Sequence, residues 1–209
     1  GVMYNRKPFI VFEGIEGSGK SLHSKSLIDQ LKKKKISYIY LREPGGTKNA
    51  EMIRRIIFNK NSDKLHKFTD TLLYLAARNE NFINNIKPFY NKRIIICDRF
   101  VDSTIAYQHY GLGINKNLIK LINKNILNNV KPDFTFLMKI GINESFKRLR
   151  KRFNLNRYDE FNKNFYKNVQ KGFIKLSHLQ PRKYMIINSE NSITINKKII
   201  FQRFLKLVK

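Results

Sequence analysis

The sequence predicts an α/β fold, a doubly wound parallel sheet of five strands flanked by helices. Three observations predict it. Five short apolar runs alternate with longer segments whose apolar residues recur at helical spacing. Several runs, Ile94-Ile95-Ile96-Cys97 above all, are apolar throughout, as a strand covered on both faces requires. A glycine-rich turn, Gly14 to Gly19, joins the first run to the first helix. In open sheets of this kind, ligands gather at the carboxyl ends of the strands.

The elements follow in order along the chain. Phe9–Glu13 is short, apolar and partly β-branched, and reads as a strand. Ser21–Lys35 reads as a helix closing on lysines, where cations suit the dipole. Tyr38–Arg42 is the second strand. Pro44-Gly45-Gly46 then forces a turn, and Thr47 can cap a helix over Ala50–Phe58. A long helix is expected over Lys67–Tyr90, a strand over Arg93–Asp98 and a helix over Lys116–Asn128. The remaining pattern predicts a strand over Phe134–Ile140, helices over Asn143–Arg152 and Glu160–Leu176, a strand over Tyr184–Asn188 and a helix over Ile195–Val208. There is no internal repeat and no long linker, so the 209 residues are expected to form one domain, 1–209.

The run Gly14-Ile15-Glu16-Gly17-Ser18-Gly19-Lys20-Ser21 fits the phosphate-loop pattern G-x-x-x-x-G-K-[ST], and it lies between a strand and a helix. Its glycines let several N–H groups converge on phosphate oxygens, and the helix adds its positive end. Lys20 can reach the terminal phosphates as a point charge. The Ser21 hydroxyl can ligate Mg²⁺, which prefers oxygen ligands. The chain is therefore expected to bind ATP with Mg²⁺. Two further signals close the second and third strands. Arg42-Glu43-Pro44-Gly45-Gly46-Thr47 places a loop at the same sheet end as the phosphate loop. Asp98-Arg99-Phe100 places a carboxylate where it can hold Mg²⁺ directly or through water, beside a guanidinium that can grip a phosphate.

Composition narrows the partners. No run of about 18 apolar residues is present, so no membrane span is expected. The N-terminal residues Gly1 to Pro8 have no apolar signal region, and Gly1 reads as a remnant of cloning. Cys97 is the one cysteine and reads as a buried strand residue in a reducing, cytoplasmic compartment. Lys and Arg total 42 against 15 Asp and Glu, a net charge of +27. That balance would suit nucleic acid. The chain is also rich in Lys, Asn and Ile, residues favoured by AT-rich codons, and its lysines are scattered. Drift with attraction for anionic nucleotides is the preferred reading, without a dedicated nucleic-acid surface.

FEGIEGSGKS, REPGGT, the pair Tyr74 and Arg78, and DRFVDSTIAYQ from Asp98 to Gln108 together resemble the thymidylate kinase family, bacterial branch. The motifs run in order from Phe9 to about Lys171. The resemblance implies a P-loop kinase fold with a mobile lid, ATP and dTMP as substrates, Mg²⁺ and a homodimer. It implies transfer of a phosphoryl group from ATP to dTMP. In it, Gly14, Ile15, Glu16, Gly17, Ser18, Gly19, Lys20 and Ser21 hold ATP, with Ser21 and Asp98 at the metal. Glu16 approaches the sugar 3′-hydroxyl, and Arg99 binds the dTMP phosphate. Glu43 and Pro44 join the substrate site. Tyr74 stacks on thymine, and Arg78, one helical turn later, hydrogen-bonds the base. Ser103, Thr104 and Gln108 line the base and sugar pocket, while Tyr107 crowds the ribose 2′ position.

The resemblance also implies a lid over about 146–162. The phosphate loop has no basic residue among its variable positions, Ile15 to Ser18, so lid arginines are expected to supply charge over the migrating group. Arg148 and Arg152 share a helix face, and Arg152 or Arg157 is the expected catalytic arginine. His23 reads as a helix-surface residue. Two alternatives stay open: a nucleoside monophosphate kinase for another base, and a phosphate-loop ATPase dependent on nucleic acid.

Overall fold

The structure, a computed structural model, describes residues 6–209. Gly1, read above as a cloning remnant, lies outside the described residues. Five parallel strands form one sheet in the order β2-β3-β1-β4-β5. They are β1 (Phe9–Glu13), β2 (Tyr38–Arg42), β3 (Ile94–Asp98), β4 (Phe134–Lys139) and β5 (Tyr184–Asn188). The helices between them are α1 (Lys20–Lys33), α2 (Lys48–Phe58), α3 (Lys67–Asn81), α4 (Val101–Thr104), α5 (Lys116–Leu127), α6 (Ile142–Leu149), α7 (Lys163–Leu179) and α8 (Ile193–Val208).

The continuously apolar strands serve two cores. Ile10, Phe12, Ile94, Ile96 and Phe136 pack with Leu27 and Leu31 of α1 and Phe204 of α8. Their neighbours Phe9, Val11, Ile95 and Cys97 pack on the other face with Phe82, Ile86 and Leu127. Strand side chains alternate between faces, so a sheet with helices on both sides needs apolar residues at every position. Cys97 is buried and unpaired, as its strand position required.

Register puts the functional motifs at one edge. Arg42 pairs with Asp98, Phe12 with Asp98, and Glu13 with Leu137. The turns after β1, β2 and β3 therefore open side by side at the carboxyl ends of the strands. Beyond that edge lies a third core rich in aromatic rings, which includes Tyr107, Tyr158, Phe165, Tyr166 and Phe173.

Three stretches depart from the expected elements. The long helix expected over Lys67–Tyr90 is α-helical only to Asn81 and then widens to a π-helical segment, Phe82–Ile86. No helix was expected between Asp98 and Lys116, yet α4 continues as a π-helix over Ile105–Gly111. Its β-branched and aromatic residues favour helix weakly. Its packing on α7 and a carboxylate from β1 supply what propensity does not. The helix expected over Asn143–Arg152 ends at Leu149, so Arg152 stands beyond it.

Candidate active site

The phosphate loop follows β1 and ends at Gly19, whose φ of 84° the helix start requires and which L side chains rarely adopt. A side chain at Gly14 would collide with the Met138 carbonyl, so this position admits only glycine. Three loop carbonyls are turned away from the cradle and held there. The Ser145 hydroxyl donates to Glu16 O at 2.7 Å, Arg148 Nη1 to Gly17 O at 3.0 Å, and the Ser189 hydroxyl to Ser18 O at 2.5 Å. Arg148 also donates to Ser189 Oγ and O. Peptide geometry then aims the intervening N–H groups inward, where phosphate would sit. Ser145 and Ser189 carried no sequence signal. Arg148 was grouped with the lid arginines, but it braces the loop instead.

A cluster of charges faces the loop. Arg99, at φ 71°, donates from Nη2 to Glu16 Oε1 at 2.6 Å and to the Tyr107 hydroxyl at 3.2 Å. Its Nη1 donates to Gly14 O and to Ser103 Oγ. The Tyr107 hydroxyl donates to Glu16 Oε1 at 2.9 Å. Burial alone would raise the Glu16 carboxyl, but Arg99 and then Lys20 override it and bring it down to about 2. Burial, then Arg99, lowers the Lys20 ammonium to about 8 against the pull of Glu16, Asp98 and Glu13. The Ser21 hydroxyl donates to Asp98 Oδ2 at 2.5 Å. These two hard oxygen donors at the foot of the cradle fit Mg²⁺, which would take its other ligands from phosphate and water. Among the described residues no cluster of three acidic, His or Cys side chains offers a metal site, as a phosphate-assisted Mg²⁺ site would not require one.

A cavity of about 210 Å³ opens beside this cluster. Lys20, Ser21, Asp98, Arg99, Glu16 and Arg152 line it. So do Tyr74, Arg78, Ser103, Thr104, Tyr107 and Gln108, together with Glu43 and Pro44. Arg78 is fixed before any ligand arrives: Nε donates to Glu43 Oε1 at 2.7 Å, Nη1 to Asn123 Oδ1 at 2.9 Å, and its guanidinium lies 5.2 Å from the Phe100 ring centroid. Asn81 donates to the other Glu43 oxygen. The Thr104 hydroxyl is buried and has no partner among the described residues. An orphaned polar group in a pocket wall is what a ligand hydrogen bond would satisfy.

The other expected site residues take different places. Ile15 points its side chain into the aromatic core, so only its backbone belongs to the cradle. Ser18 is fully buried, and its hydroxyl has no partner among the described residues. Arg157 does not line the cavity. It donates to Ile57 O and to Asp70 Oδ1, the latter at 2.6 Å, and so anchors the short 3₁₀ turn Arg157–Glu160 to α3. Of the two arginines expected to act, Arg152 is the one that faces the cavity. His23, expected on the helix surface, is 4% exposed and packs beside Gly19, because α1 turns that face toward the loop.

Two features went unread in the sequence. Glu13 ends β1 fully buried, and its Oε1 accepts from the N–H groups of Phe100 and Ser103 at 2.8 and 3.2 Å. Its Oε2 lies 2.5 Å from the Ser103 hydroxyl. The N-cap of α4, Phe100, has no capping side chain of its own, so Glu13 caps the helix from another strand. Burial, then the charge of Asp102, raises the Glu13 carboxyl to about 8. The second feature is Tyr158, whose hydroxyl donates to Asp70 Oδ2 and accepts from Gln108 Nε2 at 3.0 Å. Its ring meets Tyr74 and Tyr107 edge-on and lies in the cavity wall.

Fold and site define a nucleoside monophosphate kinase of the phosphate-loop class. The thymidylate kinase family model matches residues 12–200. The chain is 39% identical over 191 residues to the thymidylate kinase of Ehrlichia chaffeensis, covering 88% of this chain and 89% of that protein. It is 37% identical over 199 residues to that of Wolbachia pipientis wMel, covering 92% and 97%. The crystal structure of the Ehrlichia chaffeensis thymidylate kinase matches with a TM-score of 0.76 at 32% identity, over 95% of this chain and 98% of that one. The chain belongs to the thymidylate kinase family.

Proposed function

We propose that this protein transfers the terminal phosphoryl group of ATP to dTMP, giving dTDP and ADP, by direct in-line displacement. The observation that carries the reading is the single cavity joining the phosphate-loop residues Lys20 and Ser21 to Tyr74, Arg78 and the unpartnered Thr104 hydroxyl. Loop N–H groups and Lys20 hold the ATP phosphates. Arg99 releases Glu16 and turns to the dTMP phosphate, leaving Glu16 for the sugar 3′-hydroxyl. Tyr74 stacks on the base, and Arg78 offers Nη2, which makes no hydrogen bond among the described residues, to a base carbonyl. Tyr107 stands against the 2′ position. Ser21 and Asp98 would hold Mg²⁺, which would supply charge neutralisation at the phosphates.

The acceptor is already an anionic oxygen, so no general base is needed. That oxygen bonds to the γ-phosphorus as the bond to the β–γ bridging oxygen breaks, and the electron pair leaves with ADP. Lys20, Arg99 and Arg152 place cations around the migrating group. The lid, about 146–162, moves over the site to exclude water, within one domain spanning 1–209. The reading extends to a cytoplasmic homodimer. Met52 and Ile56, one turn apart on α2, and Phe68 and Leu72, one turn apart on α3, are exposed apolar residues that a second copy would cover. No described helix is long and apolar enough to cross a membrane.

Coupled ADP release with ATP and Mg²⁺, run across dTMP, dUMP, UMP, dCMP, dGMP and AMP, tests the function. The expected order is dTMP first, dUMP weaker and UMP near background. Equal turnover on UMP would contradict the Tyr107 role, and preference for another base would overturn the substrate.

A further inference from the structure

A second cavity, about 450 Å³, lies behind the substrate site, between the sheet and the C-terminal half of α5. Its floor is apolar: Val11, Ile105, Leu127, Val130 and Pro132. Lys120 and Lys124, one turn apart on α5, stand on its open side with Lys131 and Lys183. All four lysines are exposed. None makes an ion pair among the described residues. The acidic groups in the cavity are Glu13 and Asp102, and both are already engaged. Glu13 caps α4, and Asp102 accepts from the Tyr184 hydroxyl at 2.6 Å. Burial holds both carboxyls above their ordinary range, which weakens the negative charge they bring to the cavity. An apolar floor under unpaired cations suits an anion with a flat apolar body.

The cavity shares its inner wall with the substrate site. Phe100 lines both and lies against the Arg78 guanidinium. Asn123 lines the second cavity and holds Arg78 Nη1. Glu13 lines it and holds Ser103. We propose that this cavity is a second ligand site for a small amphipathic anion, an apolar or aromatic body with one carboxylate, sulfonate or phosphate group. Its occupancy is sensed at the substrate site through Phe100, Asn123 and Glu13. The binding half stands without the dTMP reading, and the coupling half rests on it.

The probe is 8-anilinonaphthalene-1-sulfonate, titrated by fluorescence with dTMP and a non-hydrolysable ATP analogue at saturation. One saturable site per chain is expected. A variant with Lys120→Glu, Lys124→Glu and Lys183→Glu should bind about tenfold more weakly, since close charges are removed and reversed. A control reversing Lys32, Lys33 and Lys34 at the C-terminal end of α1 should bind as wild type, separating local charge from the net +27. Circular dichroism and unchanged turnover without probe establish that both variants fold. The probe should also raise KM for dTMP in wild type and not in the cavity variant. Absence of a saturable site, displacement by the nucleotides, or equal binding by the cavity variant would overturn the site. Binding that leaves KM unchanged would overturn the coupling. A protein inactive on dTMP that still binds the probe through these lysines would sink only the dTMP reading.

Discussion

Burial and the nearby Arg99 guanidinium hold the Lys20 ammonium down at about 8 in the free protein. Phosphate binding requires its charged form, so above pH 8 the protein must take up a proton with ATP. ATP affinity is therefore expected to fall as pH rises past 8, by up to about tenfold per pH unit. Lys20→Arg, which stays charged, should abolish the fall even where it slows turnover. Calorimetry in buffers of different ionisation enthalpy reads the proton uptake directly, and its absence would contradict the shift. Glu13 carries a shift of the opposite sign. Its carboxyl is raised from 4.5 to about 8 in the fold, so between those values the folded protein holds a proton that the unfolded chain has lost. The stabilisation is full below pH 4.5 and is lost as pH rises through 8. Glu13→Gln keeps the shape and should lose less stability than wild type between pH 5 and 8 in urea titrations. Glu13→Ala leaves two buried N–H groups without a partner and should cost about 1–3 kcal/mol.

At the scale of elements, the 3₁₀ turn Arg157–Glu160 is tied to α3 through Asp70, and to the π-helical stretch through Gln108. Arg152 and Arg157 should then separate cleanly by experiment. Arg157→Ala strands the buried Asp70 and should lower stability, on the order of 3 kcal/mol. Arg152→Ala removes an exposed side chain that faces the cavity, and should lower kcat with the melting temperature unchanged. Thermal denaturation beside steady-state kinetics distinguishes them, and a catalytic loss confined to Arg157 would reverse the assignment. The π-helical segment after α4 is part of the same network. Tyr107 and Gln108 both lie on it, one reaching Glu16 and the other Tyr158.

The whole molecule carries +27, and its exposed apolar residues gather partly on α2 and α3. Sedimentation equilibrium is expected to give a dimer mass for wild type and a monomer mass for the pair Met52→Glu, Ile56→Glu, with helical content retained. A wild-type monomer at micromolar concentration would remove the dimer. Substrate capture should weaken with salt whatever the origin of the charge.

The sequence by itself determined the sheet and its functional edge. β1, β2 and β5 have the ends that apolar runs and their flanking turns predict. The central strands β1 and β3, buried along their whole length, are apolar up to their last residue, whereas the edge strands β2 and β5 are half-exposed and were marked by the turns beside them. The glycines, Lys20, Ser21, Asp98 and Arg99 were legible for a related reason: a phosphate cradle needs those residue types at fixed short spacing. The tertiary structure alone decided what lies far apart in the chain. Glu13 caps a helix that begins 88 residues later, Ser189 holds a loop carbonyl 171 residues before it, and Arg157 pairs with Asp70 across 87 residues. None of these follows a local period, since each partner is chosen by where the chain returns after crossing the sheet. Arg148, Arg152 and Arg157 are alike in composition, and only their surroundings make one a brace for the loop, one a cavity wall and one an anchor.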